Sequence, residues 1–256
     1  MASVLKQKNQ LQALTINVYT DFFVNHLWGI NGIDFHFAPS MTVKHELMKK
    51  GVPEQKIVVT GIPIDRVFKR DQQSTIKKDG ISILVTGGNL GVGGMGDLFS
   101  SLLRSRRIHY HVLCGKNEAL YQKILNENKP NITPYAYISN REKMNHLYNQ
   151  VDGVLTKAGG VTLSECLMKR KPIFIYQPLP GQERINVNHL KKLGLVTMIE
   201  SGDSVENKIR DFLSCSNKKA TYHEKINAFH DNLEKRPLSA IIDELASAYF
   251  QKSSHY

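Results

Sequence analysis

Residues 154–165, VLTKAGGVTLSE, decide how the rest of this 256-residue chain is read. The apolar run ending in Thr156 predicts a buried parallel strand, and the Gly159-Gly160 pair then turns the backbone into a helix beginning near Thr162. A helix start gathers unpaired amide N–H groups at the positive end of its dipole, and small residues just ahead of it let an anion approach the backbone. The stretch reads as a seat for a diphosphate. Lys157 strengthens that reading, because a lysine buried at a strand end is costly alone, whereas a diphosphate would pair with it. A purely structural alternative stands beside it. Thr162-Leu163-Ser164-Glu165 is a capping-box pattern in which Thr162 caps the helix and Glu165 reaches back to the cap's amide.

Outward from this stretch, strands and helices alternate. Strands are expected at 81–86, 108–113, 131–137, 151–155, 172–176 and 195–199, with helices at 96–104, 118–126, 142–149 and 185–193. Six strands with intervening helices predict an α/β fold with a doubly wound parallel sheet, and such sheets bind ligands at the carboxyl ends of their strands. The next strand end supports this: residues 177–189, QPLPGQERINVNH, place Gln182, Glu183 and Asn186 where amides and a carboxylate suit several sugar hydroxyls at once. Taken alone, the same residues also read as a polar loop feeding a helix. Loops after neighbouring strands converge in space, so the two stretches together say more than either does.

Residues 86–96, TGGNLGVGGMG, follow the first of these strands. Gly91, Gly93 and Gly96 spell GxGxxG, the dinucleotide fingerprint, but it starts five residues late and no acidic residue closes the next strand, Glu118 lying in a helix start. The other readings are an unliganded loop, or a glycine-rich loop whose amides at Gly87, Gly88 and Asn89 face a phosphate or the reacting sugar. GKS or GKT is missing, which excludes a Walker phosphate loop.

Composition narrows the partners. Lys and Arg number 34 against 23 Asp and Glu, a net charge of +11, which predicts attraction to polyanions such as an anionic membrane surface or a phosphate-rich substrate. The basic residues are scattered without interleaved aromatics, which argues against nucleic acid. Three cysteines, Cys114, Cys166 and Cys215, with no CxxC spacing argue against a disulfide framework and a zinc site and fit a reducing cytoplasm. His26, His109, His111 and His189 show no metal-ligand spacing. No signal peptide and no apolar run near the roughly 20 residues that span a bilayer is visible, so membrane contact is expected to be peripheral.

Residues 1–60 hold few elements: a helix tail near 4–8, strands at 14–19, 35–38 and 56–60, and a helix at 41–50. So small a segment buries little apolar surface by itself. Residues 61–80 lose hydrophobic periodicity and read as an interdomain linker, residues 81–200 as the doubly wound domain, and residues 201–256 as C-terminal helices.

KAGGVTLSE at 157–165 and LPGQERINV at 179–187, with VYTDFFVNHLW at 18–28, FHFAPS at 35–40, KIVVTGIPID at 56–65 and HVLCGKN at 111–117, resemble the glycolipid glycosyltransferases. That family comprises plant monogalactosyldiacylglycerol synthase and the bacterial processive diacylglycerol glucosyltransferase, and the resemblance extends to about residue 199. It implies a GT-B fold of two lobes, with residues 1–60 the remnant of a truncated N-terminal acceptor lobe and a complete C-terminal nucleotide-sugar lobe. The implied activity is metal-independent, cofactor-free transfer of a hexose from UDP-glucose or UDP-galactose to diacylglycerol or a related lipid, peripherally on the cytoplasmic face of the membrane.

Carried over, Gly159, Gly160 and Thr162 hold the diphosphate and Glu165 the uridine ribose. The backbone near Tyr137 and Ile138 meets uracil with Met144 beside it, Gln182, Glu183 and Asn186 meet the sugar, and Gly87, Gly88 and Asn89 close the phosphate side. The family's general base lies in a glycine-rich, histidine-bearing opening segment not found here, leaving the catalytic group unassigned and His26, after Asp21, as the one candidate. Two other readings follow: a UDP-sugar-binding fragment with little turnover, completed by a separate N-terminal lobe, and, more remotely, a nicotinamide-dependent oxidoreductase.

Overall fold

The computed structural model describes residues 1–25, 27–69, 80–87 and 96–253. His26, Gly88 and Asn89 lie outside the described residues. Contacts divide the chain into two units, Met1–Pro63 with Ala228–Tyr256, and Ile64–Asn227.

In the first unit, α1 (Ala2–Gln7) precedes β1 (Ile16–Val18) and β2 (Phe35–Ala38), then α2 (Met41–Lys49) and β3 (Ile57–Val59). The strands form a parallel sheet in the order β1-β2-β3, with Phe37 opposite both Val18 and Val58. Tyr19, Ala38, Val43, Leu47 and Ile57 make the core between sheet and helix. Asp34 ties the entry to β2: its carboxylate takes the Thr15 N–H and hydroxyl, each at 2.8 Å, and pairs with Lys6 at 2.7 Å.

The second unit runs β4 (Ile81–Thr86), α3 (Gly96–Arg104), β5 (Ile108–Gly115), α4 (Glu118–Glu127), β6 (Ile132–Ala136), α5 (Arg141–Gln150), β7 (Gly153–Thr156), α6 (Gly160–Met168), β8 (Ile173–Tyr176), α7 (Gln182–Lys192) and β9 (Thr197–Ile199), followed by α8 (Val205–Ser214) and α9 (Ser216–Asp231). All six strands are parallel, in the order β6-β5-β4-β7-β8-β9. The inner strands β7 and β8 are buried on both faces, as their unbroken apolar runs require in a sheet covered by helices on each side. β5 alternates instead. Ile108, Tyr110 and Val112 pack with Leu98, Leu102 and Ile124, whereas His109 and His111 on its other face pair with Thr133 and Tyr135 of β6, each at 2.9 Å. These two histidines knit neighbouring strands together. α10 (Leu238–Ser253) belongs to the first unit, where Lys6 Nζ donates to the Tyr249 hydroxyl at 2.8 Å.

Several boundaries differ from those read in the sequence. α6 begins at Gly160, with Gly159 as its N-cap, so Thr162 is already the third helical residue and caps nothing. α7 begins at Gln182, three residues early, because Gly181 takes a left-handed conformation (φ 89°) and Glu183 folds back to accept the Leu179 N–H at 2.8 Å. Part of the expected linker is packed: Arg66–Lys69 forms a 3-10 turn, and Phe68 is buried edge-on against Tyr148, ring centres 5.7 Å apart. The helices after residue 200 do not form one block, since the first unit takes up the chain again at Ala228.

Candidate functional site

In the second sheet the chain moves outward from β4 through β5 to β6, then returns to add β7 on the other side. Strand order therefore reverses between β4 and β7, and a crevice opens at the carboxyl ends of such a pair. Thr86 and Thr156 are register partners, so Gly87 and Lys157 leave adjacent strands at the same level. β8 ends one strand further on, with Thr156 opposite Ile175.

The helices that follow β7 and β8 start unlike their neighbours. α2, α4, α5 and α8 are each capped by a side-chain oxygen, from Ser40, Asn117, Asn140 and Ser204. α6 and α7 are started by Gly159 and Gly181 with no side-chain cap, which leaves their first backbone N–H groups available to a ligand. A Cβ built on Gly159 would meet nothing within 4 Å. Gly159 is exposed at the helix start, Gly160 is buried, and Lys157 and Thr162 are half-buried. This is an anion-accepting geometry, and it brings together the residues the sequence assigns to the diphosphate.

Glu165 lies midway along the same helix and is only 8% exposed. Its Oε2 accepts a 2.9 Å hydrogen bond from the hydroxyl of Tyr148, and its Oε1 lies 3.9 Å from the guanidinium of Arg141. The capping-box alternative is thereby set aside: the carboxylate turns sideways to α5 and not back along α6. Burial pushes the Glu165 carboxyl above the ordinary carboxylate range, against the Tyr148 hydrogen bond and the Arg141 charge, which act the other way; Asp65 adds to the upward push. Tyr148 itself is buried, and burial keeps its phenol well above its usual value. Neither Tyr148 nor Arg141 was singled out in the sequence. Their seven-residue spacing puts both on one face of α5, but nothing in the sequence sets that face beside Glu165.

At the end of β8, Gln182 is exposed and Glu183 half-buried, both in the first turn of α7. Asn186 is fully buried, and its Nδ2 donates to the carbonyl of Ala158 at 3.0 Å. The residue expected to meet a sugar thus fastens the β7 loop to α7. Beyond β6, Tyr137 and Ile138 line a cavity of about 720 Å³ together with Tyr135, Lys143 and His146, and Met144 is buried on α5. Among the described residues, no group of three or more His, Cys, Asp or Glu side chains could hold a metal ion, and no helix is long and apolar enough to cross a membrane.

The fold is of the GT-B type. It is shared with the crystal structure of the glycotransferase of kitacinnamycin (TM-score 0.63, 14% identity, 84% of this chain and 56% of that one) and with that of Acinetobacter baumannii MurG (0.54, 17%, 82% and 66%). The family model of the glycosyltransferase family 28 C-terminal domain matches residues 82–237, more than half of the chain, and the chain belongs to that family. Residues 1–64 match the model of monogalactosyldiacylglycerol (MGDG) synthase. Among curated relatives, the uncharacterised glycosyltransferase YkoN of Bacillus subtilis is 39% identical over 233 residues, 90% of this chain and 62% of YkoN. The processive diacylglycerol beta-glucosyltransferase of Bacillus cytotoxicus is 27% identical over 262 residues, 98% of this chain and 66% of that protein. The chain thus spans less than two thirds of the length of either relative.

Proposed function

We propose that the second unit binds a UDP-sugar, UDP-glucose or UDP-galactose, and that the protein transfers its hexose to diacylglycerol or a related lipid. One observation carries this reading: an uncapped, glycine-started helix at the reversal of strand order holds a buried, hydrogen-bonded carboxylate on its own length. In this reading the first N–H groups of α6, with Gly159, Gly160 and Thr162, receive the diphosphate, and Lys157 adds positive charge. Glu165 takes the ribose, the backbone of Tyr137 and Ile138 the uracil with Met144 alongside, and Gln182 and Glu183 the sugar. Asn186 supports them through Ala158, and Gly87 closes the phosphate side. Helix-start amides and a lysine stabilise the charge that grows on the leaving diphosphate as the glycosidic bond breaks, while a base takes the acceptor's proton. The names of the curated relatives motivate the lipid acceptor, and the net charge of +11 motivates a peripheral place on an anionic membrane surface.

UDP is expected to raise the melting temperature, since a ligand at a hundredfold excess over its Kd stabilises the folded state by about 2.7 kcal/mol, and NAD is expected to leave it unchanged. A shift with NAD alone would sink the reading. A second reading is UDP-sugar binding without turnover. Transfer of label from UDP-glucose to diacylglycerol vesicles above a Glu165→Ala control decides for the enzyme, and no product above that control decides for the binder. Binding to anionic vesicles should weaken with salt, and equal binding to neutral vesicles counts against the membrane surface.

A further inference from the structure

The proposed donor site gives Glu165 to the ribose but leaves its orientation unexplained. The structure shows its two oxygens in different situations. Oε2 is taken by the Tyr148 hydroxyl at 2.9 Å, and Oε1 is turned to the side where Arg141, 62% exposed, stands at 3.9 Å. Tyr148 is 1% exposed, and its ring is set at 90° to that of Phe68, which is 0% exposed. A phenol so enclosed has no freedom to swing away, and toward a carboxylate it acts only as a donor. A free glutamate side chain would have to be ordered on each binding event, and a carboxylate already ordered avoids that cost.

We infer that Tyr148 is the positioning residue of this site: it anchors one oxygen of Glu165 so that the other meets the hydroxyls of a nucleoside ribose. This rests on the donor-site reading proposed above and adds a residue to it. Phe68, in the 3-10 turn at Arg66–Lys69, then acts as the backstop of the ring. Tyr148 touches no ligand in this arrangement, so its effect must pass through Glu165.

The test compares UDP with 2′,3′-dideoxyuridine diphosphate, which lacks the ribose hydroxyls, by calorimetric titration of the whole chain. Tyr148→Phe keeps the ring and its packing and removes only the donor. The expected result is a Kd for UDP about tenfold weaker, the scale of one hydrogen bond to a charged group, with the dideoxy analogue within about twofold of wild type. In a Glu165→Ala background, which leaves Tyr148 no carboxylate to anchor, Tyr148→Phe is expected to change neither Kd. Equal weakening of both ligands would assign Tyr148 a merely structural role and overturn the inference, as would an unchanged UDP affinity. UDP binding by the wild type with no preference over the dideoxy analogue overturns the inference and leaves the donor site standing. No UDP binding at all overturns both.

Discussion

The side-chain amide of Asn186, 0% exposed, donates to the carbonyl of Ala158 at 3.0 Å. It joins the helix after β8 to the loop after β7, so the two stretches that the sequence pairs by analogy are physically tied. Because the acceptor is a buried carbonyl, the direction of the bond matters. Asn186→Ala should cost about 2–3 kcal/mol, from the orphaned carbonyl and the lost contacts. Asn186→Asp should cost more, because it sets a buried acceptor, ionised or protonated at a price, against another acceptor. Denaturant unfolding of the two variants checks the order, and an aspartate variant as stable as wild type would refute it.

Gly159 separates a backbone requirement from a ligand requirement. Its φ is −69° and a Cβ there meets nothing within 4 Å, so the fold itself accepts alanine. Gly159→Ala should shift stability by no more than about 1 kcal/mol, because the stiffer unfolded chain is offset by alanine's poorer fit as the N-cap of α6. A methyl at the mouth of an uncapped helix start nevertheless stands where an anion must approach. UDP affinity is therefore expected to fall while the melting temperature holds. Thermal melts with and without UDP measure both, and an undiminished UDP shift would remove Gly159 from the diphosphate seat.

Gly153 makes the opposite case. A Cβ there would lie 3.0 Å from the Phe174 ring, 3.1 Å from the Pro172 carbonyl and 3.4 Å from Ile83. The neighbours are a buried aromatic and backbone of adjoining strands, which cannot give way cheaply. Gly153→Ala is expected to destabilise by about 1–3 kcal/mol by overpacking, read as a lower denaturation midpoint with an unchanged slope. UDP binding to the fraction that remains folded should be near wild type, because the clash lies at the start of β7 and not at its carboxyl end.

The architecture of the second unit was legible because its strands are strongly apolar and its helices regularly spaced. Runs such as Ile81–Thr86 and Ile173–Tyr176 have no stable alternative to a doubly buried strand. Helix starts were less legible. Capping-box chemistry pointed to Thr162, and the helix starts at Gly160 instead. Local propensity cannot tell a cap from the first turn when the preceding residues are glycines that accept either conformation. The packed turn at Arg66–Lys69 was hidden for a related reason: in a charged stretch, Val67 and Phe68 alone carry the signal of burial. Tyr148 was out of reach because its importance comes from Glu165, seventeen residues away, and only the tertiary fold brings the two together.

Glu165 also gives the site a pH dependence of known sign. Burial holds its carboxyl above the ordinary range, so the folded protein keeps this proton at pH values where the unfolded chain has lost it. The contribution to stability is fully present below the unfolded pKa, about 4.3 for a glutamate, and is lost as pH rises through the higher folded value. Ribose hydroxyls donate to the ionised form, so binding should pull the proton off. A UDP-sugar is the ligand to use, because its diphosphate is esterified at both ends and does not itself titrate near neutrality. Its affinity should rise with pH through the raised Glu165 pKa and then level, with proton release visible as a dependence of the binding enthalpy on the buffer. Glu165→Gln should flatten both in that window. A wild-type affinity that is level across it, or a dependence that survives in Glu165→Gln, would mean that the ligand does not engage this carboxylate.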